Sequence, residues 1–339
     1  MLLSIYHPAL RILGISTVNG NAPLECVTEN GLSVLEAIGA TDVPLYAGSK
    51  RPFCRDIRSA SEIHGGSGLA GTDLLPTATC KPQPGNTINA MREALLSCEA
   101  QTAWLVGVGP LTNVALLFAI YPEVATHIKG ISIMGGGIGD GFAPQVSMGP
   151  GYVDEEGRSR ERHGNYTEFA EFNVWADVES ARSVFSNPLL KPKTFLIPLD
   201  VSHQAYTTQK VREMLLNGEK GPTRLRTMFN ELLVYFADTY ETAWGMDQGP
   251  PLHDPLAVAI LLADHPDPDV RIKFNDNDGE RWSLEVVLSG LQEGRTVATR
   301  VEHGKPGVMI PRSLDMDKFW EVLESCMAKA DAKTGYGQS

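Results

Sequence analysis

The chain has 339 residues, 42% of them hydrophobic, which is enough for one large α/β domain or two smaller ones, and a formal charge of −12 at pH 7. That acidic balance excludes a nucleic-acid or anionic-membrane surface, because phosphate binding needs clustered Lys and Arg. A small-molecule ligand fits better.

The opening MLLSIYHPALRIL is apolar but has neither the basic leader nor the small-residue cleavage site of a signal peptide. Leu10 to Val18 is aliphatic and β-branched without strict alternation, which predicts a strand buried on both faces of a parallel sheet. It runs into Asn19, Gly20 and Asn21. A helix is predicted from Pro23, suited to a first helical position, to Ile38, with Gly39 as its stop, and a second short strand over Val43 to Ala47. Gly48 to Gly85 is rich in Gly and Pro and carries His64; a loop of that length is usually functional or disordered. His64 reads either as a surface or capping histidine or as part of a lid.

The βα rhythm then resumes, with helix Asn86 to Cys98, strand Ala103 to Val108, helix Asn113 to Tyr121 and strand Ile128 to Met134. Gly135 to Gly164 holds a glycine triplet and the charged DEEGRSRERHG, read as a mobile surface loop. Next comes NYTEFAEFNVWAD, Asn165 to Asp177, where Asn165, Glu171 and Asn173 stand between Phe169, Phe172 and Trp175. One reading is a helix start with core aromatics. The other is a grip for a polyhydroxylated ligand, since carboxylate and amide groups offer acceptors and donors to vicinal hydroxyls on a bed that excludes water. A helix to Phe185 and a strand over Thr194 to Leu199, ending at Asp200, follow.

Helices are expected over Thr208 to Leu216 and Thr223 to Thr242, then the run HDPLAVAI, His253 to Ile260. Asp254 reads as a helix N-cap before Pro255, or as a carboxylate for a metal beside an imidazole for acid–base work. Val270 to Phe274, Ser283 to Leu288 and Thr296 to Val301 form a β-meander in this reading, before a last helix over Met316 to Ala330. FNDNDGERWSLE has calcium-loop spacing, but Phe274 stands at the first ligand position, so it is read as a hairpin turn. MGGGIGDG follows a strand as a dinucleotide fingerprint would, yet no helix or distant acidic partner completes it.

The expected architecture is a single doubly wound α/β domain with a mostly parallel central sheet, helices on both faces and a small C-terminal meander. Asn19, Asn21, Gly107 to Gly109, Met134 and Asp200 all fall where predicted parallel strands end, the rim at which such sheets bind ligands. No apolar run reaches a spanning length. The five cysteines are odd in number and lack a CxxC pair, which points to reduced thiols and a cytoplasmic protein.

Taken together, the chain resembles the inosine-uridine preferring nucleoside hydrolases. The matching motifs are STVNGN at Ser16 to Asn21, IHGGSG at Ile63 to Gly68, GPLTN at Gly109 to Asn113 and MGGG at Met134 to Gly137. They continue with GNYTEFAEFN at Gly164 to Asn173, LDVSHQA at Leu199 to Ala205 and HDPLAVA at His253 to Ala259. The resemblance implies hydrolysis of the N-glycosidic bond of a ribonucleoside through an oxocarbenium-like transition state, assisted by bound Ca2+. It implies that Asn165, Glu171 and Asn173 bind ribose hydroxyls, with Asn21 nearby and Met134 packed under the ribose. Asp254 and the Val108 carbonyl would be calcium ligands, His253 a proton donor or orienter at the leaving base, and His64 a contact to the base. The family also suggests a homodimer or homotetramer.

One departure matters. Members of the family begin with a strand leading into DxDxxxDD, whose aspartates hold calcium and activate water, whereas the first aspartate here is Asp42. The expectation is therefore a domain over residues 1–339 truncated at its N terminus. Calcium takes about six to eight oxygen ligands, so weak metal binding and loss of activity in this form are expected. Without the metal, a water titrating near ~7 returns toward ~15.7. The same loss would leave Leu10 to Val18 beside an unpaired neighbour, an aggregation hazard. The alternative expectation is a non-catalytic nucleoside or ribose binder.

Overall fold

A computed structural model describes residues 1–334 apart from 144, 145 and 147. Three parallel strands form its centre: β3 (Trp104–Gly107), β4 (Gly130–Met134) and β7 (Thr194–Ile197), in the order β3-β4-β7. All five residues of β4 are buried, as expected for a strand covered on both faces. Successive side chains leave a strand on opposite sides. Ile131 and Ile133 accordingly enter one apolar cluster with Leu117, Val184 and Phe185, while Met134 enters a second with Leu256, Phe319 and Leu323. Helices thus cover both faces, and the doubly wound α/β architecture is present.

Two further parallel strands, β1 (Ile15–Thr17) and β2 (Leu45–Ala47), pair with each other, and no described ladder joins them to β3. The predicted strand from Leu10 shortens to three residues. Asn113 ties the two groups together at their carboxyl ends: its Nδ2 donates to the Thr17 carbonyl at 2.8 Å and its Oδ1 accepts from Ser49 N at 2.9 Å. The helix expected from Pro23 runs over Leu24–Ala37 with Pro23 as its N-cap, and Asn86 caps Thr87–Leu96 by accepting from two backbone N–H groups.

The C-terminal strands differ from a simple meander. Here β9 (Trp282–Val286) pairs antiparallel with β10 (Thr296–Arg300), whereas β8 (Phe274–Asn275) pairs with β11 (Ser313–Leu314). The segment around Met309 bridges Phe195 of β7 on one side and, through Val308, Trp282 of β9 on the other, so the central sheet continues into antiparallel strands. Residues Asp276 to Gly279 form a turn in which Gly279 N donates to Asp276 Oδ1 at 3.1 Å. This turn connects strands that do not pair with each other, so it is not a hairpin.

Both long connections carry structure. The charged stretch read as a mobile loop contains the hairpin of β5 (Tyr152–Val153) and β6 (Ser159–Arg160), closed by Arg158 and Arg160 on Asp154. Backbone and guanidinium donors hold that carboxyl at about 2. The Gly48 to Gly85 segment contains a short helix, Ser61–His64, and is pinned on both sides of it. Arg55 pairs with Glu179 and Glu293, Arg58 pairs with Glu293 and lies 3.7 Å over the Trp175 ring, and Thr72 donates to Glu231. Among the described residues no helix is long and apolar enough to cross a membrane.

Candidate active site

The strand β4 ends in Met134, and the glycines after it let the chain pass close to Glu171: a Cβ on Gly135 would stand 3.3 Å from Oε2. Glu171 is 2% exposed and caps the helix Phe172–Ala176. Its Oε1 accepts from Asn173 N at 2.9 Å, and its Oε2 accepts from Gly136 N at 2.9 Å and Val174 N at 3.1 Å. Burial pushes its pKa up to about 7 against the pull of those three N–H groups, and the charge of Asp254 adds to the rise. The helix-start reading of this stretch therefore holds for Glu171. Three of about four lone-pair positions are used, which leaves room for one further donor.

Asn173 is 9% exposed, and its Nδ2 reaches both the carbonyl and the Sδ of Met134 at 3.4 Å. Asn165 accepts from Phe172 N through Oδ1 at 3.1 Å, while its carbonyl takes the Trp244 indole N–H at 3.1 Å. Asp200, buried after β7, accepts from Ile138 N and Gly139 N at 2.8 and 2.9 Å, and Leu199 N donates to the Gly136 carbonyl at 2.9 Å. The glycine turn is thus held from two sides. Met134, Asn165, Glu171 and Asn173 form one cradle.

His253 belongs to a second hydrogen-bonded group. Its Nδ1 lies 2.7 Å from Ser202 Oγ and its Nε2 lies 3.1 Å from Tyr240 Oη. Burial, with the imidazoles of His203 and His64 nearby, pushes its pKa well down. Tyr240 is shifted up by burial and by Asp254 and Glu171, so it keeps its hydroxyl hydrogen. Asp254 is the first residue of the helix Asp254–Ala259, which packs on β3, β4 and β7; His253, not Asp254, takes the N-cap position. The Asp254 carboxyl is open to solvent yet ringed by protein, and that surrounding raises its pKa to about 6.

His64 lies at the end of its short helix with its ring 5.4 Å from Phe236, on the same long helix, Arg224–Trp244, that carries Tyr240. Burial moves its pKa down to about 4 despite Glu62, so the imidazole is neutral. Asn21 is joined to this group indirectly: its carbonyl accepts from Ala60 N, and Ala60 packs with Phe172 and Trp175. Val108 is exposed on the turn after β3. Sequence reasoning passed over Ser202, Tyr240 and Trp244.

The inosine-uridine preferring nucleoside hydrolase family model matches residues 1–321. This chain belongs to that family. Uridine nucleosidase of Saccharomyces cerevisiae is 35% identical over 99% of this chain and 94% of its own length. The inosine-uridine preferring nucleoside hydrolase of Crithidia fasciculata is 31% identical over 95% of this chain and 91% of its own. In fold, the purine-preferring ribonucleoside hydrolase from Gardnerella vaginalis matches with a TM-score of 0.76 at 21% identity, covering 97% of this chain and 94% of that one. The nucleoside hydrolase family binds a metal ion. Among the described residues, however, no group of three or more His, Cys, Asp or Glu is placed to hold one. Glu171 has its carboxylate turned to backbone N–H groups, and Asp254 stands alone, so this donor set does not fit the ion.

Proposed function

We propose that the cleft binds a ribonucleoside, purine or pyrimidine, and cleaves its N-glycosidic bond to ribose and free base. The observation that carries this reading is that two hydrogen-bonded groups, the Met134–Asn165–Glu171–Asn173 cradle and the Ser202–His253–Tyr240 chain, come close enough for Glu171 and Tyr240 both to feel the Asp254 charge. The cradle presents amide and carboxylate groups to ribose hydroxyls, with Met134 beneath the sugar and Asn21 beside it. His253 and His64, both neutral at physiological pH, flank the base. A departing base accumulates negative charge, and the hydrogen-bonded His253–Tyr240 pair is placed to orient and stabilise it. Asp254, titrating near the working pH, is the carboxylate available to hold the attacking water.

The family's metal is proposed to be Ca2+, because the oxygens of Asp254 and Val108 are hard donors. One carboxylate and one carbonyl fall short of the six to eight oxygens calcium takes, so these residues alone bind it weakly. That shortfall favours a second reading, a nucleoside binder without turnover. We further infer one domain spanning the chain, since the two large apolar clusters share the strands of the central sheet. Cytoplasmic residence agrees with five unpaired cysteines, and a homodimer or homotetramer follows the family pattern.

Measuring ribose release from uridine and inosine in millimolar calcium separates the two readings. Turnover that is lost in a His253→Ala variant supports the hydrolase. Saturable nucleoside binding with no ribose released supports the binder.

A further inference from the structure

Ser202 ends the short helix Leu199–Ser202 and is fully buried. Its hydroxyl lies 2.7 Å from Nδ1 of His253, and among the described residues it has no other hydrogen-bond partner. The other ring nitrogen, Nε2, lies 3.1 Å from the Tyr240 hydroxyl. A neutral imidazole carries its hydrogen on one nitrogen only, so two arrangements exist. In one, Nδ1–H donates to Ser202 and Tyr240 donates to Nε2. The Ser202 hydrogen is then sealed from solvent with no acceptor, and burial of an unpaired O–H is penalised. In the other, Ser202 donates to Nδ1 and Nε2 keeps the hydrogen. Only the Tyr240 hydrogen then needs a partner, and Tyr240 keeps 9% of its surface exposed where Ser202 has none, so water or substrate can supply one.

We infer that Ser202 is a positioning residue: its hydroxyl donates to Nδ1 of His253 and so fixes the ring hydrogen on Nε2, the nitrogen next to Tyr240 at the cleft. The inference rests on the reading of the cleft as a nucleoside site. The bond between C1′ and the base breaks with its electron pair leaving on the base; Nε2–H donates to the Tyr240 oxygen, and the Tyr240 hydrogen turns to the leaving base as a hydrogen bond that steadies its negative charge. Water adds to C1′ as hydroxyl, and the proton it sheds ends on the base. With His253 in the opposite tautomer, Tyr240 would donate to Nε2 and offer the base a lone pair in place of a hydrogen. Ser202 never touches the substrate; it acts through the imidazole.

The test is tautomer assignment in the full-length chain labelled with 15N-histidine, by long-range proton–nitrogen correlation at pH 8. The His253 signals are those that disappear in His253→Gln. The wild type and Ser202→Thr, which retains a hydroxyl, are expected to show hydrogen on Nε2, and Ser202→Ala to show a mixture of tautomers. Hydrogen on Nδ1 in the wild type, or an unchanged pattern in Ser202→Ala, would overturn the inference. These spectra need no turnover, so they decide the role of Ser202 even if ribose release fails and the hydrolase reading with it. Where turnover is present, Ser202→Ala is expected to lose about tenfold or more on uridine. It should lose little on a 4-nitrophenyl riboside, whose leaving group departs as a stable anion. Equal loss on both substrates would mark Ser202 as merely structural and contradict the proposal.

Discussion

Replacing Glu171 with alanine is expected to lower the unfolding free energy by about 3 kcal/mol or more and to abolish ribose-dependent activity. The carboxylate is 2% exposed and accepts from the backbone N–H groups of Gly136, Asn173 and Val174. Removing it leaves three buried donors without acceptors, each worth roughly 1–3 kcal/mol, partly offset by relief of the buried charge. The loss is also local: the glycine turn and the helix Phe172–Ala176 are joined through this one side chain, so Met134 and Asn173 lose their relative placement. Glu171→Gln should fall in between. Its amide NH2 faces backbone donors where a carboxylate oxygen stood, and only one oxygen remains to accept. Urea denaturation midpoints for the three proteins check the order.

His253→Ala is the second large effect. Hydrogen-bond stabilisation of a departing anion contributes about 10²–10³ in rate, and the loss is expected in kcat with little change in KM, because ribose is held by the Asn165–Glu171–Asn173 group. The size should depend on the base. Uracil and hypoxanthine leave poorly without a proton, so uridine and inosine are expected to lose the full factor, whereas a riboside with a stable anionic leaving group should lose little. Steady-state kinetics on both substrate types measures this directly. A uniform loss on both would place His253 in structure and remove it from leaving-group stabilisation.

How much of this was legible in the sequence depends on whether the signal is local. The strand β4 reads as GISIM, apolar without alternation, and all five residues are buried. Glu171 stands two and three residues before the N–H groups it caps, so the helix-start reading was available from spacing alone. What spacing could not show is that Gly136, 35 residues earlier, donates to the same carboxylate. Likewise Ser202 is 51 residues from His253 in the chain, and a serine in a four-residue helix has no local mark of function. Tyr240 sits within an amphipathic helix of 21 residues, where its position reads as core. The strand from Leu10 was overcalled because aliphatic residues continue on both sides of Gly14, while only Ile15–Thr17 find a partner in β2. The meander was misjoined because nothing in Ser313–Leu314 announces a strand that pairs back to Phe274–Asn275.

The central claim is that Asn165, Glu171 and Asn173 hold the ribose of a nucleoside, and binding tests it without requiring turnover. Isothermal titration of uridine into the wild-type chain and into Asn173→Ala, in millimolar calcium, is the direct measurement. Asn173 is chosen because its amide turns to Met134 through Nδ2 and leaves Oδ1 for a sugar hydroxyl, so its loss removes a ligand contact while Glu171 keeps the turn in place. The account predicts saturable binding by the wild type, weakened about tenfold or more in the variant, consistent with one hydrogen bond of roughly 1.5 kcal/mol. Equal affinity of the two proteins for uridine would contradict it.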